Sequence, residues 1–296
     1  MRVLVTGSEG LVGRFLCAQL RSIGWNVKTF DVRSSQAEDV RSIDAIKGAV
    51  EDVDGVVHLA AVSRVVWAET EPEKCWEVNV RSLARLISVM AGRPKTSPPW
   101  LLFASSREVY GQQLRMPVPE STRLQPMNIY ARSKVEGELI ALGARSSEFK
   151  VNVVRLSSVY GSTGDHPTRV VPAFARAAAV GGEIRIEGQD NVFDFVHIKD
   201  VVRGLIRLIE LTSQGFEFDP IHLCSGHGTS LATLGALAAS LSNKKVNLRI
   251  TEPRDFDVGK FIGCVARSKE VLDWQSKTPL EVGFAELVGE FRSHSI

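Results

Sequence analysis

Short runs of consecutive apolar residues alternate along this chain with longer stretches in which apolar positions recur every three or four residues. Residues 3–6, 27–30, 55–59 and 101–104 form the short runs. Apolar runs without internal alternation suit strands buried on both faces, as in a parallel sheet covered by helices. Helical spacing marks residues 11–23, 72–90 (apolar at Trp76, Val80, Leu83 and Ile87) and 127–144 (apolar at Ala131, Val135, Leu139 and Leu142). Residues 151–156 read as a further strand, and 94–100 as a proline-rich loop before the strand at 101–104. The expected class is α/β.

Past residue 161 the alternation loosens. Glycines and prolines, a helix at 170–180 and short strands occupy the chain to about residue 196, so a smaller lobe is expected there. Helices follow at 199–211, 231–241 and 279–291, with a short strand near 220–224. The chain shows no internal repeat and no flexible linker.

Composition narrows the partners. A length of 296 residues holds one large domain or two. The 44% apolar and 24% charged content is globular, unlike disordered, collagenous or coiled-coil chains. No apolar run reaches the roughly 18 residues of a membrane span. Thirty-six basic against 34 acidic side chains leave a net charge of +2, and the five tryptophans do not interleave with a basic cluster. The chain therefore lacks the footprint of a nucleic-acid or anionic-membrane binder, and a small-molecule partner is expected. Cys17, Cys75, Cys224 and Cys264 are widely spaced without a Cys-x-x-Cys pair and read as reduced core thiols. The six histidines (His58, His166, His197, His222, His227, His294) lack metal-ligand spacing and read as structural, so no metal is expected. A first strand starting at Arg2 leaves no room for a leader segment, and a cytoplasmic location is expected.

The first strand runs into Gly7-Ser8-Glu9-Gly10-Leu11-Val12-Gly13 and then a helix. Gly7 permits a tight turn, Gly10 lets backbone approach a pyrophosphate, and Gly13 allows close packing of helix on strand. The N–H groups opening the helix, at Leu11 and Val12, face the anion with the positive end of the helix dipole. Asp31 ends the next strand, placed to bond both ribose hydroxyls of an adenosine, so the turn reads as dinucleotide-binding. A carboxylate there repels the 2′-phosphate of NADP, which favours NAD. Arg33, which could recruit that phosphate, reads as a solvated loop arginine.

Tyr130 and Lys134 lie four residues apart on one helix face. A phenol with an ordinary pKa of about 10 becomes a usable base near neutral pH when a neighbouring ammonium and a cationic nicotinamide lower it. Upstream, Phe103-Ala104-Ser105-Ser106-Arg107-Glu108-Val109-Tyr110-Gly111 is a buried strand ending in hydroxyls.

Together these residues resemble the extended short-chain dehydrogenase/reductase family, in its nucleotide-sugar epimerase and dehydratase branch. Gly7, Gly10 and Gly13 match its glycine turn, Asp39-Val40 its adenine element, and His58-Leu59-Ala60-Ala61 its strand end beside the cofactor. Asn79, the Ser-Ser-x-x-Val-Tyr-Gly segment and Tyr-x-x-x-Lys complete the match, and 155–161, 194–197 and 199–201 echo its C-terminal lobe. The resemblance implies an α/β Rossmann fold: a doubly wound parallel sheet with helices on both faces plus a smaller C-terminal substrate lobe. Residues 1–160 would form the NAD-binding domain and 161–296 mainly the substrate lobe, with Rossmann elements near 199–224. It further implies NAD as cofactor, a nucleotide-sugar substrate, and a homodimer through helices 72–90 and 127–144. Ser106 would hydrogen-bond the hydroxyl that is oxidised, Tyr130 would take its proton, and Lys134 would bind the nicotinamide ribose. Ser105 would face the other side of the strand.

The reaction is read from the residues after Ser106. The family's 4,6-dehydratases place an acid there as base and a second group as proton donor. Here Arg107 is a poor proton donor beside Glu108. Epimerisation at C4 needs only Ser106, Tyr130, Lys134 and NAD and is the expected activity. Three alternatives stand beside it: a dehydratase or decarboxylase using Glu108, a sugar or sugar-acid dehydrogenase, and a non-catalytic NAD-binding protein. In the substrate lobe Phe193 stands where the family has an arginine before Asp194, and Ser158 where it has an asparagine. Arg254 matches a second family arginine and leaves one diphosphate clamp.

Overall fold

The computed structural model describes residues 1–92 and 99–293. Positions 94–98 of the expected proline-rich loop, and His294, lie outside the described residues. In chain order the elements are β1 (Arg2–Thr6), α1 (Leu11–Ser22), β2 (Asn26–Phe30), α2 (Ile43–Val50), β3 (Gly55–His58), α3 (Val65–Thr70), α4 (Pro72–Trp76), a π-helical turn (Glu77–Arg81), α5 (Ser82–Ala91), β4 (Trp100–Ser106), a 3-10 turn (Arg107–Tyr110), α6 (Ile129–Gly143) and β5 (Lys150–Leu156). They continue with β6 (Ser158–Tyr160), α7 (Val170–Val180), β7 (Gly182–Glu187), β8 (Val192–His197), α8 (Ile198–Ser213), β9 (Ile221–Leu223), β10 (Gly228–Ser230), α9 (Leu231–Leu241), β11 (Val246–Thr251), α10 (Ala266–Leu272) and α11 (Leu280–Ser293).

Six strands form one sheet in the order β2-β1-β3-β4-β5-β9, and the pairs β1–β2, β1–β3, β3–β4 and β4–β5 are parallel. Consecutive residues Val3, Leu4 and Val5, and likewise Leu101, Leu102 and Phe103, are all buried. Both pleat faces are therefore covered, as the unalternating apolar runs require. On one face Leu4, Val56, Leu101 and Phe103 pack with Ile46 of α2, Leu83, Leu86 and Met90 of α5 and Ala141 of α6. This is the Rossmann arrangement, and its strand order reverses between β1 and β3, where open α/β sheets bind ligands.

Two compact units make up the chain. The first comprises the described parts of Met1–Gly111, Arg123–Leu156 and Val202–His222, and the second those of Gln112–Thr122, Ser157–Val201 and Leu223–Ile296. The second unit holds a three-stranded sheet, β10-β8-β6, and a parallel pair, β11-β7. Its core brings Phe174 and Ala178 of α7 against Ile184, Ile186, Phe195, Leu234, Phe284 and Leu287.

The single helix expected at 72–90 is interrupted. Pro72 begins α4, and five residues later the helix widens into the π-helical turn. The extra residue per turn sends the Asn79 amide inward, where Oδ1 accepts from Val62 N at 2.8 Å and Nδ2 donates to Ser133 Oγ at 2.9 Å. Such widened turns recur at functional sites. The helix expected from residue 127 begins at Ile129, because Asn128 adopts an extended conformation and caps it. Helices α2, α3 and α10 and strands β10 and β11 add to the expected set; β11 is largely exposed and carries no strong burial pattern.

Candidate active site

The glycine turn after β1 is as tight as its composition demands. Gly7 has φ +71°, and a Cβ there would lie 2.6 Å from Ala60 N, at the end of the β3 segment. A Cβ on Gly13 would meet the Gly7 carbonyl and lie 2.7 Å from Ser8 Cα. Gly10 is the N-cap of α1 and supplies no capping side chain, so the N–H groups opening the helix, Leu11 and Val12 among them, suit an external anion. The buried Ser8 hydroxyl also has no hydrogen-bond partner among the described residues. These features fit a dinucleotide pyrophosphate.

Asp31 follows β2 directly and is buried. Its Oδ2 accepts from Glu9 N at 2.9 Å, and its Oδ1 accepts from Arg33 N at 2.9 Å and from Arg33 Nε at 3.4 Å. Arg33 is thus paired to Asp31 while its side chain stays 58% exposed. Asp39 is held by Arg41, whose guanidinium donates to it at 2.6 Å and keeps its carboxyl below the ordinary range. Val40 packs against the core beside Asp39.

The end of β3 is tied to β1. Leu59 N donates to Thr6 O at 3.1 Å and Ala60 N to Thr6 Oγ1 at 3.3 Å, and the same hydroxyl meets His58 Nδ1 at 2.8 Å. Burial, with the Lys134 charge beside it, pulls the His58 pKa down to about 3. The segment from His58 to Ala61 therefore borders the glycine turn.

Helix α6 is stitched to the end of β4 at three levels. Near its start, Asn128 Oδ1 accepts from Ala131 N at 2.8 Å while Nδ2 donates to Glu108 Oε2 at 3.2 Å. One turn in, Lys134 Nζ donates to Ala104 O at 2.7 Å. Further on, Ser105 Oγ donates to Glu138 Oε1 at 2.5 Å. At Gly137 a Cβ would lie 2.6 Å from Phe103 Cζ, so only a bare backbone allows helix and strand this close.

The buried Lys134 ammonium lies 5.9 Å from the centre of the Tyr130 ring and 5.0 Å from that of Phe103. Burial pulls its pKa down to about 8, against the attraction of Cys75 and Glu138. Tyr130 is 8% exposed and packs with Ala68 and Cys75. Ser106 Oγ accepts from Glu108 N at 3.2 Å and so caps the 3-10 turn. The buried Glu108 carboxylate is engaged through both oxygens, Oε1 by Arg107 Nη2 at 2.8 Å and Oε2 by Asn128.

Ser158 lies on β6 and Arg254 in the segment that follows β11, both in the second unit. Ser158 pairs with Phe195 across β6 and β8. Arg254 is shared by two carboxylates, Asp257 at 2.7 Å and Glu187 at 3.5 Å. Asp194, at the position after Phe193, is fully buried and accepts from Ser225 N and Oγ, Gly226 N and Gly263 N. It is a staple within its unit. Three site residues escaped the sequence reading: Asn128, Glu138 and Arg155. An Asn directly before a helical pattern is a capping signal, and Glu138 follows Lys134 at helical spacing. Arg155 opens the 155–161 segment that echoes the family's C-terminal lobe, but no local feature shows its pairing with Glu138. Among the described residues no cluster of His, Cys, Asp and Glu is suited to a metal, and no helix is long and apolar enough to cross a membrane.

Known proteins resemble this chain over nearly its whole length. A UDP-glucose 4-epimerase of Pisum sativum is 26% identical, with 95% of this chain and 92% of that protein aligned. The structure of MoeE5 in complex with UDP-glucose and NAD is 26% identical with a TM-score of 0.89, covering 100% of this chain and 99% of that one. TunA, an NAD-dependent NDP-hexosamine 5,6-dehydratase involved in tunicamycin biosynthesis, is 25% identical with a TM-score of 0.87 over 99% and 98% of the two chains. The NAD dependent epimerase/dehydratase family profile matches residues 3–223, and the chain, with its glycine turn, Ser106, Tyr130 and Lys134 in place, belongs to that family as an enzyme of the extended short-chain dehydrogenase/reductase type.

Proposed function

We propose that the protein is a nucleotide-sugar 4-epimerase acting on a UDP-hexose. The observation that carries this reading is the state of Glu108. A dehydratase or decarboxylase would use this carboxylate as its base, but here Arg107 and Asn128 hold both of its oxygens. Support for the UDP-sugar class comes from the UDP-glucose 4-epimerases that resemble the chain at about one-quarter identity.

In this reading Ser106 hydrogen-bonds the C4 hydroxyl and Tyr130 takes its proton. Lys134 binds the nicotinamide ribose, and its charge favours the phenolate form of Tyr130. Bound NAD supplies the acceptor, and then the donor, of the C4 hydrogen. The keto-sugar would turn over between the two transfers, and Tyr130 returns its proton to the C4 oxygen, leaving C4 inverted. Leu11, Val12 and the glycine turn hold the pyrophosphate, Asp31 the adenosine ribose, and Leu59, Ala60 and Ala61 line the cofactor. Asp39, Val40 and Arg33 lie toward the adenine, and Ser158 and Arg254 serve the substrate.

The likeness to TunA favours one second reading, a dehydratase in which Glu108 leaves its partners on substrate binding. The two are separated by incubating the protein with UDP-glucose, UDP-glucuronic acid and UDP-N-acetylhexosamines. A product of unchanged mass supports the epimerase. Loss of water or carbon dioxide, or stoichiometric NADH, overturns it. We also propose a homodimer through α5 and α6, where Leu139 is 62% exposed on the outer face of α6.

A further inference from the structure

Behind the strand end that carries Ser106 runs a chain of buried polar side chains with no part in the proposed chemistry. Glu138 lies on α6 one turn past Lys134, and Arg155 lies near the end of β5. Arg155 grips Glu138 with a two-pronged fork, Nε to Oε1 at 2.8 Å and Nη2 to Oε2 at 2.6 Å. Its Nη1 donates to the Tyr110 hydroxyl at 2.6 Å, and that hydroxyl meets His222 Nε2 at 2.6 Å. Ser105 Oγ donates to the same Glu138 Oε1. All five side chains are buried.

Stability is a weak reason for this arrangement. Taking two charges out of water costs about as much as their attraction returns, and a well-packed apolar pair of the same volume is often as stable. Geometry is a stronger one. A planar fork on a carboxylate tolerates little rotation. Its carboxylate is anchored to β5 through Arg155 and to β4 through Ser105, the neighbour of Ser106. On α6, Glu138 and Lys134 are separated by one helical turn and share a face. Lys134 in turn holds Ala104 O, adjacent to Ser105.

We propose that Glu138 is a positioning residue for the reaction assigned above, on which reading this inference rests. Held by Arg155 and Ser105, it sets the rotation and height of α6 against the end of β4, and with them the placement of Tyr130 and Lys134 relative to Ser106.

The test uses the whole protein and UDP-glucose. The double variant Glu138→Leu/Arg155→Met replaces the complete ion pair and is expected to fold, as judged by melting and circular dichroism. Its kcat should fall about 30-fold or more while KM stays within about threefold, the mark of reacting groups displaced by a fraction of an ångström to an ångström. Glu138→Gln, which keeps an oxygen for Ser105, should fall between the double variant and the unaltered protein. A folded double variant with kcat within about threefold of the unaltered protein, or with KM raised and kcat unchanged, overturns the proposal. Should the double variant not fold, Ser105→Ala removes the strand link alone: a kcat loss of about fivefold or more at unchanged KM supports the proposal, and full kcat overturns it. Tyr130→Phe is measured alongside. If that variant also keeps full turnover, the assignment of the site fails; if it is inactive while folded Glu138 variants keep full kcat, only the positioning role fails.

Discussion

One end of the Asn128 side chain caps α6 by accepting from Ala131 N, while the other donates to Glu108. A single amide thus joins the start of the helix bearing Tyr130 to the turn that follows Ser106. Loss of the cap in Asn128→Ala should cost about 1 kcal/mol of stability by urea denaturation. Glu108→Gln keeps the shape and a hydrogen-bonding oxygen, so an epimerase should retain most of its turnover. Collapse of activity in Glu108→Gln at unchanged melting temperature would instead identify C5 deprotonation as part of the reaction.

Tyr130→Phe deletes one hydroxyl and no packing. Turnover should fall by about 100- to 10,000-fold, with NAD affinity nearly unchanged in calorimetry. Lys134→Met should lower both turnover and NAD affinity, because it removes the proposed ribose contact together with the charge beside the phenol. A Tyr130→Phe protein with full turnover would refute the assignment.

Glu9 N and Arg33 N both donate to Asp31 and fix its carboxylate at the end of β2. NAD should bind more tightly than NADP, and Asp31→Ala should weaken NAD by about 1.5 to 3 kcal/mol. Tighter NADP binding to the unaltered protein would shift the role to Arg33.

His58 makes stability depend on acid. Its ordinary pKa is 6.5 and its folded value about 3, so between these values the unfolded chain binds a proton that the folded chain does not. Its contribution is complete above pH 6.5 and falls as the pH drops, by up to about 1.4 kcal/mol per pH unit. The stability difference between the unaltered protein and His58→Gln should shrink by about 2 kcal/mol between pH 7.5 and 5. A constant difference across that range, measured by urea midpoints, would contradict this.

Light scattering at micromolar concentration should give twice the chain mass if α5 and α6 pair across a two-fold axis. Leu139→Glu should then return a monomer of unchanged fold. A monomer mass for the unaltered protein would rule out the proposed dimer.

Much of this arrangement was legible in the sequence, because it rests on local spacing. Helices expected at 170–180 and 231–241 occur at those positions, and the i, i+4 interval places Tyr130 and Lys134 on one face of α6 whatever surrounds it. A Cβ on Gly13 would strike the backbone of its own turn at Ser8, which is a local matter, whereas one on Gly7 would strike Ala60 beyond β3, a neighbour that the fold supplies. Only the tertiary structure decided which charges meet. Glu138 and Arg155 are 17 residues apart in sequence and Tyr110 and His222 112 apart, joined by the order of the parallel strands and by nothing in their own neighbourhoods. The same holds for Glu108, a free carboxylate in the sequence and a doubly held one in the fold, and for the 72–90 segment, where the inward pull on Asn79 accompanies a widened turn. A buried polar group must find a partner in the folded chain, and where that partner stands depends on topology, which residue spacing along a single strand or helix does not encode.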